Sequence, residues 1–183
     1  MGDLHRELVL TACRWLAKTE KCTRVFAEVQ STKLNEFPDA IGYRYNYNHH
    51  ETVVVEAKVS VVDFKRDRSK FWKTEALDRS QMSGVCGMGT RRYYIVPEGL
   101  IELKEVPEDH GLLYVLPTGK VKRVRTAPYR ECRDVSSEIS ILCTMLQRQE
   151  LGLRWWPDKF RFETRKEHEK RMGVPHSRRR KRR

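Results

Sequence analysis

The sequence predicts an α/β fold in which a mixed sheet is flanked by helices in two or three layers. Three observations lead to this prediction: an amphipathic helix pattern near each end of the chain, two neighbouring β-rich segments that form a hairpin, and a short apolar strand farther along. The predicted order is helix, strand, hairpin, mixed helix, strand, a small β element and a final helix. At 183 residues the chain suits one domain of ordinary size.

The first predicted element is a helix at residues 3–19, with Asp3 as its cap. Its apolar residues recur at spacings of three and four: Leu4, Leu8, Ala12, Trp15 and Leu16. Residues 22–30 alternate in polarity and predict a strand, with Ala27 on one face and Glu28 on the other.

The centre of the chain predicts an antiparallel hairpin formed by residues 39–47 and 51–62. His49 and His50 lie at its tip and are expected at the surface, although with Glu51 they resemble a metal cluster superficially.

Beyond the hairpin, residues 63–88 mix helix and loop patterns. Residues 91–97 predict a short apolar strand bounded by charge and proline, and residues 111–128 predict two short strands around a Pro-Thr-Gly turn. Residues 134–151 predict the final helix.

The charge of the chain is concentrated at its C-terminal end. Residues 164–183 hold ten basic and two acidic side chains, a net +8 of the total +12. The dense cations at the end repel one another, so we expect a domain at residues 1–160 and a disordered basic tail at 161–183. Such a tail favours binding to nucleic acid, and a nuclear-import signal is the alternative.

Apolar patterning and cysteine spacing bear on location. No stretch approaches the ~20 apolar residues of a membrane span, and charges interrupt the N-terminal apolar run. We therefore expect no membrane partner and a cytoplasmic protein, in the host cytoplasm if a phage encodes it. The five cysteines include no C-x-x-C pair and are expected to be reduced and mostly buried.

The strand that contains Glu56 and Lys58 raises a chemical question. Residues two apart on a strand share a face, so these side chains are neighbours roughly 7 Å apart along the strand. Burying either charge without a partner costs several kcal/mol. A salt bridge at a solvated sheet edge is one explanation, and a divalent cation held by Glu56 and a second acid is the other.

Asp39 is the predicted second acid. It follows Pro38 at the start of the hairpin strand that pairs with the Glu56 strand. Because the tip of the hairpin joins the two strands, their outer ends lie together. One hairpin then presents Asp39, Glu56 and Lys58 at one place.

These residues resemble the signature of the PD-(D/E)XK nuclease superfamily. Pro38-Asp39, the spacing of seventeen residues to Glu56, and the Glu56-Ala57-Lys58 triplet match its motif and strand context. The resemblance covers roughly residues 3–130, and the wider sequence looks like phage-encoded and bacterial MmcB-like members associated with DNA repair. It implies a restriction-endonuclease-like αβββαβ core, with the small β element and the C-terminal helix added.

The resemblance also implies a metal-dependent endodeoxyribonuclease. Asp39, Glu56 and the Ala57 carbonyl would bind Mg²⁺ or Mn²⁺, and Lys58 would orient or activate the attacking water. Many members add an acid from the first helix, for which Glu7 is the candidate. Glu28, on the polar face of the first strand, competes with Glu7, and the sequence leaves both open.

Cations close to this motif suggest a nucleic-acid surface. Aromatic side chains are interleaved with the first group of cations, a combination suited to phosphate contact and base stacking; a solvated helix face is the alternative. The candidate DNA-binding residues are Lys65, Arg66, Arg68, Lys70 and Lys73, with Arg178, Arg179, Arg180, Lys181, Arg182 and Arg183 of the tail. Residues 119–125 form a second basic segment, for which nucleic-acid contact and a solvated surface are again the two alternatives.

Function therefore has more than one candidate. The first is hydrolysis of DNA in repair, recombination or phage DNA processing. The second is a catalytically silent nuclease fold that binds nucleic acid or a host protein, since a fold does not determine activity. Related nucleases often dimerise, which makes a homodimer one of the states to test.

Overall fold

The computed structural model describes residues 3–29, 36–46, 49–68 and 87–150. Three α-helices and six strands are defined there, together with a short 3₁₀ turn at Leu103–Glu105. The helices and strands, in chain order, are α1 Asp3–Lys18, β1 Arg24–Ala27, β2 Ala40–Asn46, β3 His49–Ala57, α2 Val61–Arg68, β4 Arg91–Pro97, β5 Gly111–Val115, β6 Val121–Arg125 and α3 Val135–Glu150.

The six strands form one mixed sheet in the order β1-β2-β3-β4-β5-β6. The first three strands are antiparallel, β3, β4 and β5 are parallel, and β6 returns antiparallel to β5. The parallel step from β3 to β4 requires a crossover, and α2 lies in that connection. The predicted α/β class with a mixed sheet flanked by helices is confirmed.

Helices α1 and α2 cover opposite faces of the sheet. The Trp15 ring of α1 packs edge-on against Tyr93 of β4, with ring centroids 5.0 Å apart. The Phe64 ring of α2 packs in the same way against Tyr94, also at 5.0 Å. Because consecutive strand residues point to opposite faces, the two contacts place the two helices in separate layers. The fold therefore has three layers: α1, the sheet and α2.

Each face of the sheet has its own apolar packing. The buried side of α1 supplies Leu8, Val9, Ala12, Trp15 and Leu16. The α2 face holds a second cluster of buried residues: Phe64, Tyr94, Val96, Ile101, Val106 and Leu112. The helical spacing of the first set explains why α1 forms where the sequence predicts it.

The first strand ends earlier than predicted. β1 stops at Ala27, because Glu28 has a φ of 51° in the left-handed region. Strand alternation does not continue through such a residue, so Glu28 is not simply on the polar face of β1. Ala27 and Val29, on either side of Glu28, are both buried.

Several sequence predictions lie partly or wholly outside the described residues. The mixed segment is described as α2 and again from Gly87 onward, whereas the predicted boundary at residue 160 and the tail lie outside. Contacts divide the chain into two units, Met1–Ile141 and Leu142–Arg183, and the second is described only where it contributes the C-terminal part of α3. In the part of the chain that the structure describes, no helix is both long and apolar enough to cross a membrane.

The cysteine prediction is wrong in part. Cys22 is a buried free thiol, but Cys143 is exposed and Cys132 is disulfide-bonded. Burial raises the pKa of the Cys22 thiol to about 12, which keeps it protonated and poorly nucleophilic.

Candidate active site

The predicted catalytic residues meet at the carboxyl end of β3. Ala40 pairs with Val55 in the antiparallel register, so Asp39, just before β2, stands opposite Glu56. The Ala57 N–H donates a hydrogen bond of 2.8 Å to Asp39 Oδ2. The Asp39 carbonyl accepts a second bond, of 3.0 Å, from the Glu28 N–H. Asp39 is thus fixed between the end of β1 and the end of β3.

A histidine that the sequence interpretation did not select approaches the same carboxylate. His5 Nε2 of α1 lies 3.4 Å from Asp39 Oδ1. The hydrogen bond with Asp39 raises the pKa of His5 despite partial burial, and the charge of Glu28 acts in the same direction. His5 stands three positions before the buried Leu8, a spacing that directs it toward the sheet. That spacing was the available signal for including it.

Lys58 lies between two buried carboxylates. Its Nζ is 3.6 Å from Glu56 Oε2 and 3.4 Å from Asp67 Oδ1 of α2. Burial disfavours the ammonium, but the carboxylates of Glu56 and Asp67 outweigh it and raise the pKa of Lys58. The Tyr94 hydroxyl donates a hydrogen bond of 3.0 Å to Asp67 Oδ2. Lys58 is therefore held as a cation, which suits orientation of water and stabilisation of negative charge.

Arg92 of β4 approaches Glu56 from the other side. Its Nη2 lies 3.6 Å from Glu56 Oε1, and its Nη1 donates a 2.5 Å bond to Glu36 Oε1. The sequence interpretation treated the β4 segment as fully apolar and bounded by charge, which is wrong at this position. Arg92 is inside the strand and 1% exposed, on the face that also carries Tyr94. Strand alternation was the signal that could have placed it there.

The described residues of this cluster carry more carboxylates than permanent cations. Four acids gather here against two permanent cations, with His5 as a further group whose pKa is raised. The acids are Glu36, Asp39, Glu56 and Asp67, and the permanent cations are Lys58 and Arg92.

The oxygen donors suit a hard divalent cation. Asp39, Glu56 and the Ala57 carbonyl offer two carboxylates and one backbone oxygen, and Mg²⁺ commonly takes one or two carboxylates with waters and phosphate oxygens. Among residues 3–29, 36–46, 49–68 and 87–150, no group of three or more His, Cys, Asp or Glu side chains is arranged to hold a metal ion. Asp39 and Glu56 together with either Glu7 or Glu28 would be such a group, so the described side chains do not gather the predicted third acid with these two around a metal.

The two candidates for a third acid differ in position. Glu7 is exposed on α1, and His5, two residues earlier, is the α1 side chain that reaches Asp39. Glu28 is partly buried, and its charge contributes to the raised pKa of His5. The Glu28 N–H also donates a hydrogen bond to the Asp39 carbonyl, so Glu28 lies beside Asp39 along the chain path, whereas Glu7 is exposed on α1.

The predicted nucleic-acid contacts are described only in part. Lys65 and Arg66 are exposed on α2, and Arg68 is its last residue. The remaining candidates, Lys70, Lys73 and Arg178, Arg179, Arg180, Lys181, Arg182 and Arg183, lie outside the described residues.

Two cations of the second basic segment have structural partners. Arg123 of β6 pairs with Glu20 and lies over the Trp15 ring at 5.2 Å. Arg125 donates a hydrogen bond of 2.8 Å to the carbonyl of His110. These contacts favour a role in holding β6 in place over phosphate binding.

The hairpin tip is at the surface, as predicted. His49 and His50 are both exposed, and His49 Nε2 lies 3.2 Å from Glu51 Oε1. Glu51 itself is buried and pairs with Arg44, so the tip is a salt-bridged end of the sheet.

Comparison with known proteins supports the fold alone. No family model matches the chain, and no curated protein matches it. Its fold is similar to that of a solved protein of unknown function from Silicibacter pomeroyi, with a TM-score of 0.53 and 18% sequence identity. The similarity covers 82% of this chain and 91% of the other. At this identity the likeness concerns architecture and carries no function.

Proposed function

We propose that this chain is a metal-dependent nuclease of the PD-(D/E)XK superfamily that hydrolyses phosphodiester bonds in DNA. The observation that carries the proposal is the meeting of Asp39, Glu56 and Lys58 at the carboxyl end of β3. The element order α1-β1-β2-β3-α2-β4 agrees with the αβββαβ core that the resemblance implies. A role in repair, recombination or phage DNA processing follows from the same resemblance.

The proposed division of labour follows from the contacts of each residue. Asp39, Glu56 and the Ala57 carbonyl would hold Mg²⁺ or Mn²⁺, with Glu28 beside them. The bound ion would polarise the phosphoryl oxygen and lower the pKa of a coordinated water. Lys58, kept cationic by Glu56 and Asp67, would orient the attacking water and donate to the negative charge that develops on the phosphate.

Two exposed cations of α2 lie in the segment that also carries Asp67. Lys65 and Arg66 directly precede Asp67 on α2, and both are exposed, whereas the buried Asp67 carboxylate pairs with Lys58. We propose that these two cations contact the DNA backbone and that the basic tail adds affinity without sequence preference.

A second candidate is a nuclease fold without turnover. The ion pairs of the buried Glu56 favour this candidate, because Lys58 pairs with one of its carboxylate oxygens and Arg92 with the other. In such a protein the charges would stabilise the core, and the basic surfaces would bind nucleic acid or a host protein.

A cleavage assay distinguishes the two candidates. Labelled single-stranded, duplex, flapped and branched DNA, together with RNA, would be incubated with Mg²⁺, Mn²⁺ or EDTA. We expect cutting of DNA that EDTA abolishes and that Asp39→Asn and Lys58→Ala both lack. The control is Lys104→Ala, which removes a lysine that is 78% exposed and pairs with Glu102.

The outcomes separate clearly. DNA binding without cutting under either metal would establish the silent candidate. Cutting that persists unchanged in Asp39→Asn would reject this site, and cutting of RNA alone would overturn the proposed substrate.

A further inference from the structure

The buried guanidinium of Arg92 joins the two chain segments that carry the proposed metal ligands. Its Nη2 approaches Glu56 Oε1 at 3.6 Å on β3. Its Nη1 binds Glu36 Oε1 at 2.5 Å, and Glu36 lies three residues before Asp39. One side chain therefore spans from the Glu56 strand to the segment that leads into Asp39.

The same guanidinium is fixed by the loop before β4. Arg92 Nη1 donates a 2.7 Å bond to the Met88 carbonyl, and the Met88 N–H donates a 2.8 Å bond to Glu36 Oε2. Arg92, Glu36 and Met88 thus form a closed ring of hydrogen bonds. Each of these three residues is at most 2% exposed. The planar guanidinium suits this arrangement, because it fixes several donors in one plane, which an ammonium cannot do.

We propose that Arg92 is a positioning residue that sets the relative placement of Asp39 and Glu56 for metal binding. This inference rests on the proposed metal site. Arg92 does not reach a reacting atom; it acts through Glu56 directly and through Glu36 on the segment that ends at Asp39. Residues that hold metal ligands in place typically contribute about 10-fold to 100-fold in metal affinity.

The chain contains a matched arginine away from the site. Arg44 of β2 also joins two buried acids, through a 2.8 Å contact with Glu20 and a 2.6 Å hydrogen bond from Nε to Glu51. It pairs with Glu51 toward the hairpin tip, at the opposite end of β3 from Glu56. If Arg92 only stabilised the fold, its substitution would change Mn²⁺ affinity no more than substitution of Arg44 does.

The test compares Arg92→Lys with Arg44→Lys. Both substitutions keep the positive charge, so the long-range field on a divalent cation is preserved while the planar fork is lost. Mn²⁺ binding would be measured by calorimetry on the full chain, and the melting temperature of each variant would be recorded. We expect both variants to melt earlier, with Mn²⁺ affinity about tenfold weaker in Arg92→Lys and within about twofold of the wild type in Arg44→Lys.

A second pair of variants applies if Arg92→Lys fails to fold. A Cβ at Gly87 would lie 2.7 Å from Arg92 Nη1 and 3.2 Å from both Glu36 oxygens, so Gly87→Ala displaces the pair without changing any charge. Gly42→Ala is its control, since a Cβ there would lie 2.7 Å from Cys22 Sγ. We expect weaker Mn²⁺ binding in Gly87→Ala and unchanged binding in Gly42→Ala.

The results distinguish this inference from the proposed function. Wild-type binding that Asp39→Asn removes, with equal Mn²⁺ affinities in Arg92→Lys and Arg44→Lys, would overturn the positioning role and leave the metal site standing. Absence of Mn²⁺ binding to the wild type would overturn both.

Discussion

Lys58 has a structural role beside the chemical role proposed for it. It is 5% exposed and lies between Glu56 and Asp67, so its charge offsets two buried acids. Desolvating two ions costs several kcal/mol each, and removing one partner of such a pair leaves the other uncompensated. Loss of activity in a Lys58 variant therefore needs a stability measurement beside it.

We expect Lys58→Ala to lower the free energy of unfolding by about 3 kcal/mol, the lower end of the range for a broken buried pair. We expect a loss of stability at the lower end of that range because, without the lysine, Arg92 still faces Glu56 and the Tyr94 hydroxyl still binds Asp67. Urea denaturation measures this change. Lys104→Ala breaks an exposed Lys–Glu pair and should cost less than about 1 kcal/mol. Equal losses in the two variants would contradict the burial of Lys58 as a stabilising feature.

At the scale of elements, the sequence predicted what periodicity and spacing determine. The apolar stripe of α1, the antiparallel pairing of β2 with β3 and the turn between β5 and β6 all follow from local pattern. The same reasoning placed Glu56 and Lys58 on one face and Asp39 opposite them.

The contacts that the sequence did not predict are those between distant segments. Arg92 lies 36 positions after Glu56, and only the parallel pairing of β3 with β4 makes them neighbours. Glu36 and Asp67 likewise reach the site from a loop and from α2, and no spacing rule links them to the motif. Such partners depend on tertiary packing, which a single sequence does not encode in a periodic form.

The end of α1 contains a residue in a backbone conformation that suits glycine. Lys21 has a φ of 57°, and the Cys22 N–H closes a 3.0 Å bond to the Leu16 carbonyl across it. Glycine adopts this left-handed conformation without the steric cost that a Cβ brings.

We therefore expect Lys21→Gly to raise the free energy of unfolding by about 0.5–1 kcal/mol. The matched control is Lys18→Gly within the last turn of α1, which should lower the free energy of unfolding by about 1 kcal/mol because glycine is unfavourable inside a helix. Thermal and urea unfolding of the two variants would show the opposite signs. A loss of stability in Lys21→Gly would indicate that the lysine side chain makes a contribution that outweighs its backbone cost.

At the scale of the whole molecule, the charge of the chain is unevenly distributed. Six cations at residues 178–183 supply half of the net charge of +12. Cations that neutralise phosphates release counterions, so they make the affinity for DNA dependent on salt.

Deletion of residues 174–183 should therefore weaken DNA binding and reduce its salt dependence. The slope of log affinity against log salt should fall by about 0.9 for each duplex phosphate contact that is lost. Binding would be measured by fluorescence anisotropy over a range of salt concentrations, with the full chain as reference. An unchanged slope would assign the phosphate contacts to other cations.

The order of the strands in the sheet repeats their order along the chain. As the nascent chain leaves the ribosome from its N-terminus, β1, β2 and β3 can pair while β4 is still being synthesised. In the complete fold the pairing of β2 with β3 sets Asp39 opposite Glu56. Arg92 reaches Glu56 only through the pairing of β4 with β3. The two acids are therefore synthesised 36 or more positions before the guanidinium that faces Glu56.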